Sequence, residues 1–217
     1  MGDFKKVQRG QQALATYGQA IQWKTHILDA FENRMNVSEL WRQGESLLDL
    51  GCGPGWLSGY LMGKYGLRVV AYEVPLTSDC KSFLLSPFRV NFFIGTVPEQ
   101  PRSFTAVSIM NVLHHAGKHT PSLLAQAAQI ARRWILITED LDTGKNRPQL
   151  YQHDPMGIFR THEEWQRMFA AHCEGFELRR WGRPRHKKLH NRTYYVGVED
   201  KEMRNYAWYV LERRENS

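Results

Sequence analysis

The stretch Leu47-Leu48-Asp49-Leu50-Gly51-Cys52-Gly53-Pro54-Gly55 decides the fold of this 217-residue chain. Its first part, Ser46–Leu50, reads as a short apolar strand that ends in an acid and glycines, and residues 56–64 read as a helix. Glycines between a strand and a helix let the backbone pass close beneath a ligand and take angles closed to other residues. The helix that follows presents unpaired N–H groups at its start. The spacing discriminates between ligands. A dinucleotide fingerprint, G-x-G-x-x-G, needs a glycine at position 56, where Trp56 stands, and a bulky side chain there disfavours close packing over a pyrophosphate.

Working outward, the pattern alternates. Residues 68–73 (RVVAYE), 89–94 (RVNFFI), 106–113 (AVSIMNVL) and 134–138 (WILIT) read as further strands. Pro121 sits in the first turn of a helix running to residue 132, where proline is tolerated. A second helix opens at Thr161 or Arg160, with Glu164 at capping-box spacing, and reaches residue 172. Residues 141–159 between them read as a loop. Strands apolar on both faces and separated by helices predict an α/β fold, a mostly parallel sheet with helices on both faces. In the tail, residues 176–181, 193–198 and 206–211 all look extended, and two of these form an antiparallel edge. Residues 8–43 read as helical, which divides the chain into an N-terminal extension, 1–43, and a main domain, 44–217.

The composition bounds the function. At 217 residues there is room for one full α/β core. No apolar run is long enough to span a membrane, and no secretory leader stands at the N-terminus. Three cysteines, at 52, 80 and 173, show no C-x-x-C spacing, so the sequence predicts neither a disulfide framework nor a metal site, and a reducing cytoplasm fits. The net charge of +7 is local: residues 179–192 hold seven Lys or Arg and no acid. Such a stretch either meets phosphates or an acidic surface, or is a solvated basic loop.

Glu73 closes the second strand, eighteen residues after Gly55, where an acid can accept both hydrogen bonds of a ribose diol. The runs LLDLGCGPGWLSGYL, AYE, FTAVSIMNVLHH and WILITED together resemble the class I S-adenosylmethionine-dependent methyltransferases, in particular the type 11 and type 25 methyltransferase domains. The resemblance spans residues 44–182. It implies a Rossmann-like sheet and S-adenosyl-L-methionine as cofactor. It places Asp49 near the cofactor's amino-acid part, passes Gly51, Cys52, Gly53 and Gly55 beneath its methionine and ribose, and puts Glu73 on the ribose hydroxyls. Asn111, Val112 and Leu113 would line the sulfonium side. Two positions depart from the family pattern. Thr96 and Val97 follow Gly95 where the family often has an acid, which leaves adenine to Thr96 and a backbone N–H, and Thr105 follows Phe104 where the family often has Asp.

Methyl transfer from a sulfonium is an in-line displacement, so the protein supplies alignment and a deprotonated acceptor. A histidine suits proton removal at neutral pH. His114 and His115 follow the fourth strand at the carboxyl edge of the sheet, and one of them should face the site while the other packs. Glu139 and Asp140 follow the fifth strand at the same edge, and His153 lies in the loop beyond. Tyr17 and Trp23 either cap the site or belong to the core. The expected function is methyl transfer to a small-molecule acceptor. The alternatives are an RNA methyltransferase that uses residues 179–192, and a catalytically silent cofactor-binding subunit, which the departures at Thr96 and Thr105 would suit.

Overall fold

A computed structural model describes the backbone of residues 37–52, 56–73, 91–94, 101–153, 155, 157–183 and 206–215, and the side chains of these except 56, 57, 73, 91–94, 149, 153 and 206. In chain order the elements are β1 (Ser46–Leu50), α1 (Trp56–Tyr65), β2 (Arg68–Glu73), β3 (Asn91–Ile94), β4 (Phe104–Met110), α2 (Leu113–Ala116), α3 (Thr120–Ile130), β5 (Ala131–Asp140), α4 (Arg147–His153), α5 (His162–His172), β6 (Phe176–Gly182) and β7 (Tyr206–Arg213), with 3-10 turns at Val37–Leu40 and Gly117–His119.

Among the described residues seven strands form one sheet in the order β3-β2-β1-β4-β5-β7-β6. β1 pairs in parallel with both β2 and β4, and β2–β3 and β4–β5 are parallel too. β7 runs antiparallel between β5 and β6, so the expected mixed edge is made by β6 and β7; residues 193–198 lie outside the described residues. Strand order turns outward in both directions from β1 and β4. Connections leaving neighbouring strands at such a switch point open a crevice at the carboxyl ends, and this places the glycine loop after β1 beside the turn after β4.

Both faces of the sheet are covered, as period-two alternation of apolar residues requires. Leu48, Leu50, Val107, Ile109, Ile135 and Ile137 pack with Leu124 of α3 and with Trp165 and Phe169 of α5. On the other face Leu47, Val69, Ala106, Trp134 and Leu136 pack with Leu61 of α1 and with Val37, Leu40 and Trp41. Residues 37–41 therefore share the core of the sheet.

Several boundaries differ from the sequence reading, each for a visible reason. Of the helix expected over residues 8–43, residues 8–36 lie outside the described residues; residues 37–40 make only a 3-10 turn, and 41–43 are not helical. A local turn competes there: the Arg42 N–H donates to Glu45 Oε2 at 2.8 Å and the Glu45 N–H to the Arg42 carbonyl at 3.1 Å. β4 stops at Met110, before residue 113, because Asn111 takes the left-handed conformation at φ 57°. Of the strand expected over residues 89–94, residues 91–94 form β3, and 89 and 90 lie outside the described residues. α3 ends at Ile130, before residue 132, and passes straight into β5. Its stop is tertiary: the Arg213 guanidinium of β7 donates to the carbonyls of Ala128, Ala131 and Arg132 at 2.6, 2.7 and 3.1 Å. The loop expected over residues 141–159 contains α4, anchored by Asp142, which accepts from Gly144 N–H and Arg147 Nε, both at 2.6 Å.

α5 opens as the sequence predicts, with Thr161 at the cap. The Glu164 N–H donates to Thr161 Oγ1 at 3.2 Å, and the Thr161 N–H donates to Glu164 Oε2 at 2.7 Å. Thr161→Ala is expected to cost about 1 kcal/mol of stability while Thr161→Ser retains most of it, as urea unfolding would show.

Candidate active site

The end of β1 is fixed by its neighbours on both sides. The Gly51 and Cys52 N–H groups both donate to the Tyr72 carbonyl of β2, at 2.8 and 3.1 Å. Gly51 has φ +71°, and a Cβ built on it would overlap Val112 Cγ2 and lie 2.9 Å from Cγ1. Glycine is thus required twice over, by conformation and by space. Gly53 and Gly55 lie outside the described residues. Asp49, 1% exposed, accepts from Ser58 Oγ of α1 at 2.6 Å and from Ser108 Oγ of β4 at 2.8 Å. Its charge lies against the first turn of α1, where the helix dipole favours an anion. The carboxylate ties β1, β4 and α1 together beneath the loop.

The end of β4 is organised by Glu139 of β5, which is fully buried. Its Oε1 accepts from the Val112 N–H at 3.1 Å and the Leu113 N–H at 2.7 Å, and its Oε2 lies 2.6 Å from His114 Nδ1. α2 has no cap from its own chain segment; Glu139 supplies that cap from another strand, and an acid at a helix start is favourable. With Oε2 as acceptor, His114 carries its hydrogen on Nδ1. Asn111 is held in its left-handed turn by its N–H to the Thr138 carbonyl at 2.9 Å and by Thr138 Oγ1, which donates to its Oδ1 at 2.6 Å. Asparagine is among the few residues that tolerate this region.

The two histidines have different surroundings. His114 is 5% exposed, lies on Glu139, and has Phe159 stacked at 5.2 Å. His115 is exposed, its ring 3.9 Å from that of His114. Asp140 is half-buried at the end of β5. His153 ends α4, with its side chain outside the described residues, as is that of Glu73; Thr96, Val97, Tyr17 and Trp23 lie wholly outside them. Thr105 sits at the opposite, amino end of β4, where it takes Arg132 Nη2 at 2.8 Å and meets Ser46. This departure from the family pattern therefore lies far from the carboxyl edge. Of the basic segment 179–192, residues 184–192 lie outside the described residues, and Arg179 and Arg180 reach Glu212 at 3.4 Å and Glu39 at 3.1 Å. Beside them His162 stacks on the exposed Trp181 at 3.8 Å and on Tyr209. Burial pushes the His162 pKa down, with Glu163 opposing, and pushes Tyr209 up. Burial also raises the Cys173 thiol to about 12, which leaves it inert at neutral pH.

Residues 24–190 match the family model described as a methyltransferase domain. No curated protein matches the chain by sequence. Among solved structures, a methyltransferase from Haloferax volcanii in complex with the Trm112 activator aligns with TM-score 0.64 and 13% identity, over 91% of this chain and 97% of that one. Geranyl diphosphate C-methyltransferase from Streptomyces coelicolor aligns with TM-score 0.64 and 15% identity, over 87% and 80%. Magnesium protoporphyrin IX methyltransferase from Synechocystis, with bound SAH, gives 0.54 and 14%, over 99% and 88%. The chain belongs to the methyltransferase-domain family, and it is a class I enzyme that uses S-adenosyl-L-methionine. Gly51 presents bare backbone to Val112, where a side chain has no room, and α1 opens at Trp56.

Gly51→Ala is expected to destabilise the protein by about 2 kcal/mol. Val112→Ala in the same chain should restore part of this, because it removes the overlap but not the strain at φ +71°. Urea midpoints of the two variants measure the split. Glu139→Gln should cost about 2–3 kcal/mol by leaving a buried N–H or imidazole underpaired, and calorimetric unfolding would show it.

Proposed function

We propose that the enzyme methylates a small-molecule acceptor bound at the carboxyl edge of β4 and β5, with His115 as general base. The observation that carries this reading is the division of labour between the histidines. His114 is buried and committed to Glu139, whereas His115 is exposed on the same short helix. His115 follows Val112 by three residues, and Val112 touches Gly51, so about 10 Å of chain at most separates the base from the cofactor loop.

The cofactor supplies an electrophilic methyl group on a sulfonium. His115 takes the proton of the acceptor's O–H or N–H, the freed electron pair forms the bond to the methyl carbon, and the C–S pair leaves with sulfur as a neutral thioether. Because the leaving group needs no protonation, alignment and one base suffice. In this reading Asp49, held by Ser58 and Ser108, fixes the loop beneath the cofactor's amino-acid part, Gly53 and Gly55 continue that loop, Glu73 accepts from the ribose hydroxyls, and Thr96 and Val97 meet the adenine. Asn111, Val112 and Leu113 line the sulfonium side. Asp140 and His153 flank the acceptor.

The RNA alternative is favoured by one observation, the exposed Trp181 stacked on His162 beside Arg183, since an exposed indole near basic residues can stack a base. The ion pairs of Arg179 and Arg180 with carboxylates oppose it. The silent-subunit alternative loses Thr105 as support, because that residue is remote from the carboxyl edge.

Calorimetry should show S-adenosylmethionine binding to the wild-type chain, and Glu73→Ala should weaken it at least tenfold. Across a panel of hydroxyl and amine acceptors, His115→Gln should lower turnover by roughly 100-fold or more with cofactor affinity unchanged. Turnover equal to wild type would remove His115 as base. RNA retardation that fades steeply between 50 and 200 mM salt would instead favour the RNA reading.

A further inference from the structure

We infer that the acceptor is a flat, largely apolar ring compound, seated on Tyr151 and Ile158 with its reacting heteroatom at His115. This rests on the small-molecule reading above and adds the chemical class of the acceptor. Three large hydrophobic side chains are exposed among the described residues: Tyr151 at 38%, Ile158 at 42% and Trp181 at 47%. Single exposed apolar residues are ordinary. Two of these three, however, belong to one structure around His115.

The connections are continuous. The Ile158 N–H donates to the His114 carbonyl at 2.8 Å, which fixes Ile158 against the helix that carries His115. Ile158 Cδ1 lies 3.8 Å from the Cβ position of Gly117, on the next turn. Tyr151 of α4 meets Phe159 edge-on, with centroids 5.2 Å apart at 89°. Phe159 stacks on His114, and His114 packs on His115. The inner members, His114 and Phe159, are buried, while the outer ones, His115, Tyr151 and Ile158, face solvent. The result is an apolar wall, backed by rings, that ends at the one exposed imidazole of α2.

Its position names the occupant. Val112 joins the same helix to the glycine loop, so the wall continues the cofactor site outward from the sulfonium side. Of the guanidinium groups near the wall, Arg147 is 63% exposed but is held by Asp142 at 2.5 Å, and Arg160 donates to the Ile158 carbonyl at 3.3 Å. Tyrosine, phenylalanine and histidine rings prefer offset or edge-on contact with another ring, and small-molecule sites are mostly apolar with a few placed polar groups. A ring lying on Ile158 against the Tyr151 edge presents a ring hydroxyl or amine to His115.

The test titrates 2-naphthol calorimetrically into protein saturated with S-adenosylhomocysteine. Wild type should bind it, and Tyr151→Ala and Ile158→Ser should each weaken binding roughly tenfold, with Trp181→Ala unchanged. Both positions are exposed, and S-adenosylhomocysteine affinity equal to wild type certifies that each variant is folded. If S-adenosylhomocysteine binds but 2-naphthol does not, or if the Tyr151 and Ile158 variants bind it as wild type does, the ring acceptor is overturned and the cofactor assignment stands. Failure of S-adenosylhomocysteine to bind the wild-type chain would instead overturn the function on which this inference rests.

Discussion

The site depends on one buried carboxylate. Glu139 reaches from the end of β5 to two amide N–H groups and one imidazole of the segment that follows β4. Those three bonds fix Val112, which in turn leaves no room for a side chain at Gly51, and they fix His114, against which His115 packs. A single side chain thus sets the distance between Gly51 and His115. The arrangement is strict because a buried carboxylate is stable only while its acceptor capacity is used. The geometry cannot relax one contact without exposing another.

Asp49 does the same for the other side of the crevice. It joins β1, β4 and α1 through two serine hydroxyls. The two carboxylates share a logic: each lies at or near the carboxyl end of a central parallel strand and takes its donors from the elements that leave the sheet there. Strand ends at a switch point are where the backbone of neighbouring elements diverges, and charged acceptors are a strong way to hold divergent segments together.

Much of this was legible in the sequence, and the rest was hidden for definable reasons. Local signals were clear: the strand–glycine–helix unit around Gly51, the alternation of apolar strands with helices, and the capping box at Thr161 and Glu164. These depend on neighbours a few residues apart. The short helices α2 and α4 were invisible because four and seven residues give no hydrophobic period to detect. The part played by Glu139 was only half visible. Its place at the strand end marked it as a candidate for chemistry, but its donors lie 25 to 27 residues away and show only in three dimensions. The same holds for Ser108, whose partner Asp49 lies 59 residues away, and for Arg213, which ends α3 from the last described strand. Thr105 looked like a defect in the cofactor site until its position at the amino end of β4 separated it from that site.

The place of β7 has a consequence for how the chain acquires its structure. It is the last of the described strands in sequence and yet lies inside the sheet, between β5 and β6. As the polypeptide emerges from the ribosome, β5 and β6 are complete while the strand that joins them is still to come. Until it arrives, the long apolar edge of β5 stands open, and an open edge of that kind is a template for pairing with other chains. Closing it requires contacts far apart in sequence, which form slowly. The same insertion brings Arg213 onto the end of α3, so the final step of sheet assembly also completes a helix that was made some eighty residues earlier.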